Sequence, residues 1–211
     1  LSNLVGTSVF HVSSGKPAGV NENEDWDYGN KSSSLLEPAK NLKKHYTWLE
    51  FNHQHEVKTN TLKNFAMEQH LNSIDIIHLD VQGAEMMVLE GASDFLGKIK
   101  MIWMEVENLE LYQGQPLKKS IESFMKSMHF YKIKDTVNKI SGDQLYVNTH
   151  YFPEEKFNGK IKTLLGKLFV RYPFFNKSYG QTGQDLINHF IVHSLKTEKP
   201  IYLVHGTHEF G

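Results

Sequence analysis

Residues 73–92, Ser-Ile-Asp-Ile-Ile-His-Leu-Asp-Val-Gln-Gly-Ala-Glu-Met-Met-Val-Leu-Glu-Gly-Ala, leave this chain few choices of fold. Ile74, Ile76, Ile77, Leu79 and Val81 form a near-continuous, β-branched apolar run, the pattern of a strand buried on both faces, and a Gly and then a helical pattern follow at once. A strand of that kind belongs inside a parallel sheet. In open α/β sheets the ligand crevice lies where a strand ends and the next helix begins, and Asp80, Gln82 and Glu85 hold that position here.

The flanking segments extend the pattern. Ala84, Met87, Val88, Leu89 and Ala92 recur at helical spacing, with Gly97 as the expected stop, and Lys100–Val106 is a second apolar run ending in acid. Strand, helix and strand within about thirty residues make a right-handed crossover between parallel neighbours. Upstream, Thr7–Val12 reads as a strand, followed by a polar connection from Ser13 to Ser34. Tyr46–Phe51 and Glu56–Thr59 read as short strands, and residues 61–70 as a helix with Leu62, Phe65 and Ala66 inward and Asn60 or Thr61 as its cap. Downstream, Pro116 opens a helix with Ile121 and Met125 on one side, and residues 130–134 and 144–148 form an antiparallel closing pair around the turn Ser141-Gly-Asp143.

The pattern changes after about residue 150. Residues 156–177 are basic and apolar, suited to an amphipathic linker or helix, and residues 199–209 have the form strand, Gly, polar turn, which is how a nucleotide-binding half-domain starts. The 211 residues therefore divide into a domain over 1–150, a linker over 151–178, and a piece over 179–211 that either starts a second unit or fills a first-strand position beside residues 74–79.

Composition narrows the partners. A net charge of −1 gives no electrostatic footprint for nucleic acid, and no apolar run approaches the roughly 20 residues that span a bilayer. The absence of cysteine removes disulfides, thiolate metal sites and a Cys nucleophile, which fits a reducing compartment, and a cytoplasmic location is expected.

Residues 74–85 with Val88-Leu-Glu-Gly-Ala92 resemble the D-V-E/Q-G-A-E…V-L-x-G-A signature of the FkbM-type S-adenosylmethionine-dependent methyltransferases. Ser32-Ser-Ser-Leu-Leu36, Val57–Leu62 and Ile102–Val106 are similar to further segments of that family in the same order, so the resemblance covers roughly residues 1–150. It implies an α/β class I methyltransferase fold, Rossmann-like, with a mostly parallel sheet, an antiparallel closing strand pair, and its first strands missing ahead of Leu1. Residues 179–185 and 202–209 look like the opening of a second copy, so a tandem fragment is expected, with circular permutation as the other history.

The resemblance implies S-adenosylmethionine as cofactor and a small-molecule or glycan hydroxyl as acceptor. Asp80, Glu85 and Glu105 are the candidate catalytic carboxylates; Asp80 either binds the acceptor hydroxyl, acts as base, ligates a metal, or simply caps the following helix. Ser33, Ser34, Gln82 and Gly206 are the candidate cofactor contacts, against a plainer reading of Ser32–Ser34 as a solvated turn. His53/His55 and His189/His193 are spaced to share a face, but neither pair has an evident third donor, so no metal site is expected. The expected function is O-methyl transfer to a sugar hydroxyl, with the 211-residue piece itself inactive; a non-catalytic Rossmann-like scaffold is the competing class.

Overall fold

The computed structural model describes residues 1–19, 28–153 and 201–206, which form a mixed α/β fold. Its main sheet is organised by β3 (Ile74–Asp80), whose residues through Leu79 are all buried. β4 (Ile99–Glu107) runs parallel to it, with Ile74 opposite Ile99 and Leu79 opposite Met104. β5 (Phe130–Asp135) and β6 (Ser141–Asn148) close the sheet as the antiparallel pair the alternation predicts. Pairing of β6 against β4 is also antiparallel.

On the other side of β3 lies β7 (Tyr202–Gly206), parallel and in the register Ile76 to Tyr202 and Asp80 to Gly206. The order is therefore β5-β6-β4-β3-β7, with a strand late in the chain pairing beside β3. Asp75 anchors its entry: one carboxylate oxygen accepts the Ile201 N–H at 2.8 Å and the other holds Lys100 Nζ at 2.6 Å.

One face of this sheet carries the larger core. Ile77, Leu79 and Val81 of the β3 strand and its exit meet Ile102, Met104 and Val106 of β4, and three helices cover them. These are α2 (Leu62–Glu68), α3 (Glu85–Ala92) and α4 (Lys118–Ser127). Leu62, Ala66, Ile121 and Met125 are buried as their spacing predicts, and Thr61 Oγ1 accepts the Asn64 N–H at 3.1 Å as a helix cap. The opposite face buries Ile76, Met101, Trp103, Leu145 and Val147.

A separate two-stranded antiparallel sheet pairs β1 (Gly6–Ser14) with β2 (Glu50–Thr59). Between them α1 (Lys40–His45) packs Leu42 with Leu49, Leu111 and Tyr112 in a small third core.

Several boundaries differ from those read in the sequence, for local reasons. Residues 50–59 form one strand rather than two, because the polar Asn52–Glu56 stretch is paired against β1 while its side chains face solvent. α3 ends at Ser93, whose φ of +50° breaks the helical path, so Gly97 lies inside a following 3-10 turn instead of stopping the helix. Ser141-Gly-Asp143 is strand, not turn: Gly142 pairs with Val106, and a Cβ there would come within 2.6 Å of the Thr136 carbonyl. The expected basic amphipathic segment, the Tyr179–Asp185 opening and the His189/His193 pair lie outside the described residues. No helix among the described residues is long and apolar enough to cross a membrane.

Candidate functional site

The carboxyl ends of the parallel strands are built from a row of neighbouring positions. Gly206 of β7 pairs with Asp80 of β3; Leu79 pairs with Met104, so Asp80 and Glu105 follow side by side; and Glu105 of β4 pairs with Asp143 of β6. The chain then leaves β3 through two left-handed residues, Gln82 (φ +52°) and Gly83 (φ +90°). Gly83 is required twice over, by its φ and because a Cβ would press within 3.0 Å of the Tyr112 ring and 3.1 Å of Gln115 Oε1.

That turn orients the side chain of Gln82. Its Nε2 donates to Asp80 Oδ1 at 2.8 Å and to Glu105 Oε2 at 3.0 Å, so one amide ties two carboxylates on adjacent strands together. Its Oε1 lies 3.1 Å from the Tyr112 hydroxyl, which donates to the Ser32 carbonyl at 2.7 Å. Its backbone carbonyl accepts the Ser34 hydroxyl at 2.7 Å.

Ser33 and Ser34 are thus engaged within the fold. Ser33 Oγ accepts the Ser13 N–H at 3.0 Å and lies 3.1 Å from Ser13 Oγ, and Ser34 Oγ also accepts the Leu36 N–H at 3.0 Å. Both are buried; Ser34 braces the Gln82 turn and Ser33 ties to Ser13 of β1, whereas Ser32 of the same tripeptide lines the open cavity. Gly206 ends β7 next to Asp80.

The cavity, of about 570 Å³, opens above this row. Asp80, Gln82, Glu105, Glu107, Asp143 and Lys31 contribute polar groups, and Tyr46 and Trp48 contribute aromatic ones. Tyr46 and Trp48 stand edge to face, with ring centroids 6.5 Å apart, on the small core of Leu42, Leu49 and Leu111.

Burial makes Glu105, Glu107 and Asp143 hard to ionise. Glu105 is pushed up to about 7, first by burial and then by the charges of Asp80 and Asp143. Burial also raises Asp143 and, with Glu85 and Glu105 nearby, holds Glu107 well above the usual carboxylate range. Lys31 is lowered by burial, against the opposing pull of Asp80.

Glu85 sits apart from the open cavity. It is 3% exposed, its Oε1 accepts the Val81 N–H at 3.0 Å, and burial pushes it up to about 8. It bridges the end of β3 to the first turn of α3, a structural position, while Asp80 and Glu105 face the cavity together.

His78, buried in β3, has no hydrogen-bond partner for Nε2 among the described residues, and burial lowers its pKa against Asp80 and Asp143. His53 and His55 do share a strand face but are solvent-exposed, and no group of three His, Cys, Asp or Glu able to hold a metal occurs among the described residues. Lys31, Tyr46, Trp48, Glu107, Tyr112 and Asp143 were not singled out from the sequence. The alternation of Glu105 with Glu107 along β4 was the available signal, since residues two apart in extended chain face the same way.

The methyltransferase FkbM domain model matches residues 7–131 of the chain. The chain is also 34% identical over 149 residues to the 2-O-methyltransferase NoeI of Sinorhizobium fredii (strain NBRC 101917 / NGR234). That alignment covers 71% of this chain and 57% of the relative, so the chain spans little more than half of the relative's length. No solved structure matches it.

Proposed function

We propose, from the premise that this chain belongs to the FkbM methyltransferase family, that its cavity is the acceptor side of an S-adenosylmethionine-dependent O-methyltransferase acting on a sugar hydroxyl. The observation that carries this reading is the Gln82 amide holding Asp80 and Glu105 side by side at the mouth of a cavity whose lining includes aromatic rings.

The donor set fits the cofactor's chemistry. A sulfonium is a cation, and a cation beside the carboxyl groups of Asp80, Glu105, Glu107 and Asp143 favours their ionised forms, so this lining suits positive charge better than phosphate. Asp80 and Gln82 would border the bound cofactor, with Gly206, which has no side chain, ending the neighbouring strand. When bound, S-adenosylmethionine would supply an electrophilic methyl group, its S–CH3 bond breaking as the acceptor's C–O bond forms, with S-adenosylhomocysteine as the neutral leaving group.

The chain's own residues supply the acid–base part. An unactivated hydroxyl is a weak nucleophile, and removing its proton as the new C–O bond forms contributes about 10²- to 10⁴-fold. Glu105, poised near 7, is suited to take that proton, and Asp80 accepts a hydrogen bond that fixes the hydroxyl's direction. Gln82 keeps both carboxylates in place and neutralises neither, because an amide donates without titrating.

The test is transfer of isotopically labelled methyl from S-adenosylmethionine to a panel of neutral oligosaccharides, with the product linkage read by NMR. A labelled methyl ether on a sugar oxygen is the expected result, against the sequence-based expectation that the 211 residues alone are inactive. Transfer only to nitrogen or carboxylate acceptors would rule the reading out.

A further inference from the structure

The relative is a 2-O-methyltransferase, a name that specifies a position of methylation; the geometry here points to the kind of ring that presents it. We infer that the cavity binds a neutral pyranose through a vicinal diol, one ring face against Trp48 and the two hydroxyls on Asp80 and Glu105. The inference rests on the O-methyl-transfer reading for which hydroxyl reacts, but the binding mode stands on the cavity alone.

The first support is the spacing of the acceptor oxygens. The two N–H bonds of one amide diverge by about 120°, so the contacts at 2.8 and 3.0 Å place Asp80 Oδ1 and Glu105 Oε2 roughly 5 Å apart. Two adjacent hydroxyls on a ring, each donating outward at about 2.7 Å, span such a gap. A lone hydroxyl reaches one carboxylate and leaves the other without a donor from the ligand, and a site built around hydrogen bonds to hydroxyls discriminates strongly against analogues that lack one.

The second support is the aromatic wall. Trp48 is half-buried on the Leu42, Leu49 and Leu111 core, and Tyr46 meets it edge-on, so the indole is held in place before any ligand arrives. A pyranose has a C–H-rich face and a hydroxyl rim, which is the complement of a cavity lined by rings and by convergent polar groups.

The third is charge. Four carboxyl groups line the cavity with Lys31, whose ammonium lies within the field of Asp80. A uronic acid or sugar phosphate would raise their proton affinity further and, above the value of about 7 at which Glu105 ionises, meet like charge at close range, so neutral sugars are favoured over their anionic counterparts.

The experiment is saturation-transfer NMR and calorimetry on the whole chain with methyl glucopyranoside, methyl galactopyranoside, their monodeoxy analogues and the matching methyl uronates. At least one neutral glycoside should bind, with removal of either hydroxyl of one vicinal pair and conversion to the uronate each weakening binding by about tenfold or more. Trp48→Ala should abolish binding with an unchanged circular dichroism spectrum, and Trp48→Phe should retain it. Equal binding of the deoxy analogues, of the uronate, or of a folded Trp48→Ala variant would overturn the inference; if Trp48→Ala does not fold, the glycoside series decides alone. Glycoside binding without methyl transfer would defeat the methyltransferase reading and leave this site standing. Methyl transfer to isolated alcohols as readily as to diols would defeat the diol inference and leave the reaction standing.

Discussion

The amide of Gln82 reaches across from the end of β3 to Glu105 at the end of β4, 3.0 Å away, while holding Asp80 on its own strand. Gln82→Ala should cost about 10- to 100-fold in kcat/KM, because the two carboxylates proposed to act on the acceptor hydroxyl lose their fixed relation. Gln82→Glu replaces a neutral donor with a third carboxylate. The ascending limb of the pH profile should then move about one unit alkaline, since a like charge raises its neighbours' proton affinity. Steady-state kinetics between pH 5 and 9 read both effects, and an unmoved limb in Gln82→Glu would show that Glu105 does not control the rate.

Asp80→Asn keeps the side chain's shape and removes its charge. Methyl transfer should fall by about 10- to 100-fold as the hydroxyl loses the acceptor that directs it, while the melting temperature stays within a few degrees of the parent. Turnover at the parent rate would exclude Asp80 from the reaction.

Stability should fall as pH rises through neutrality. Burial raises Glu85 to about 8 and Glu105 to about 7, from ordinary values of 4.5. Between pH 4.5 and 8 the folded chain therefore holds more protons than the unfolded chain, and the slope of unfolding free energy against pH is negative there. Urea midpoints measured from pH 5 to 9 should decline, and Glu85→Gln should flatten that decline. A midpoint that climbs across this range would contradict the assignment.

Gly91 carries the second half of the family-like signature, and its reason is steric. It lies in α3 where the Ser2 carbonyl crosses the helix so closely that an added Cβ would meet it. Gly91→Ala should destabilise by about 1–3 kcal/mol despite the better helix propensity of alanine, because the crossing segment must shift. Thermal unfolding measures it; a stabilised Gly91→Ala would mean that the segment gives way freely.

Asp75→Ala removes the acceptor of the Ile201 N–H and the partner of Lys100 together. A loss of about 1–3 kcal/mol is expected, concentrated where β7 meets β3. Hydrogen exchange should quicken at residues 201–206 before it does in β4, and uniform protection would place the anchor elsewhere.

The core of the fold was legible because it rests on short-range periodicity. The run Ile74–Leu79, the inward pair Ile121 and Met125, and the closing strands all follow from patterns spanning ten residues or fewer. Asp80, Gln82 and Glu105 were legible from their place at strand ends, and the structure brings all three to one cavity. Glu85 shares their motif but turns inward to Val81, because the first residue of a helix packed on the sheet faces the core as readily as the crevice. Ser33 and Ser34 look like a binding turn in sequence, yet the partners that occupy them, Ser13 and Gln82, are 20 and 48 residues away. The wall formed by Tyr46 and Trp48 was hidden for the same reason. Nothing within either residue's own segment tells that it faces Asp80, and only the packing of α1 against Leu111 brings that loop over the strand ends.

The docking of β7 carries a consequence for biosynthesis. Asp75 and Ile201 are 126 positions apart, so a ribosome making this chain at about 5–20 residues per second leaves one side of β3 open for several seconds after its other neighbours are available. Through that interval an apolar strand shows unpaired backbone donors and acceptors to whatever extended segment comes near, including the same strand of another nascent copy. The yield of native protein is thus a race between completion in cis and capture in trans, and slower translation lengthens the exposure.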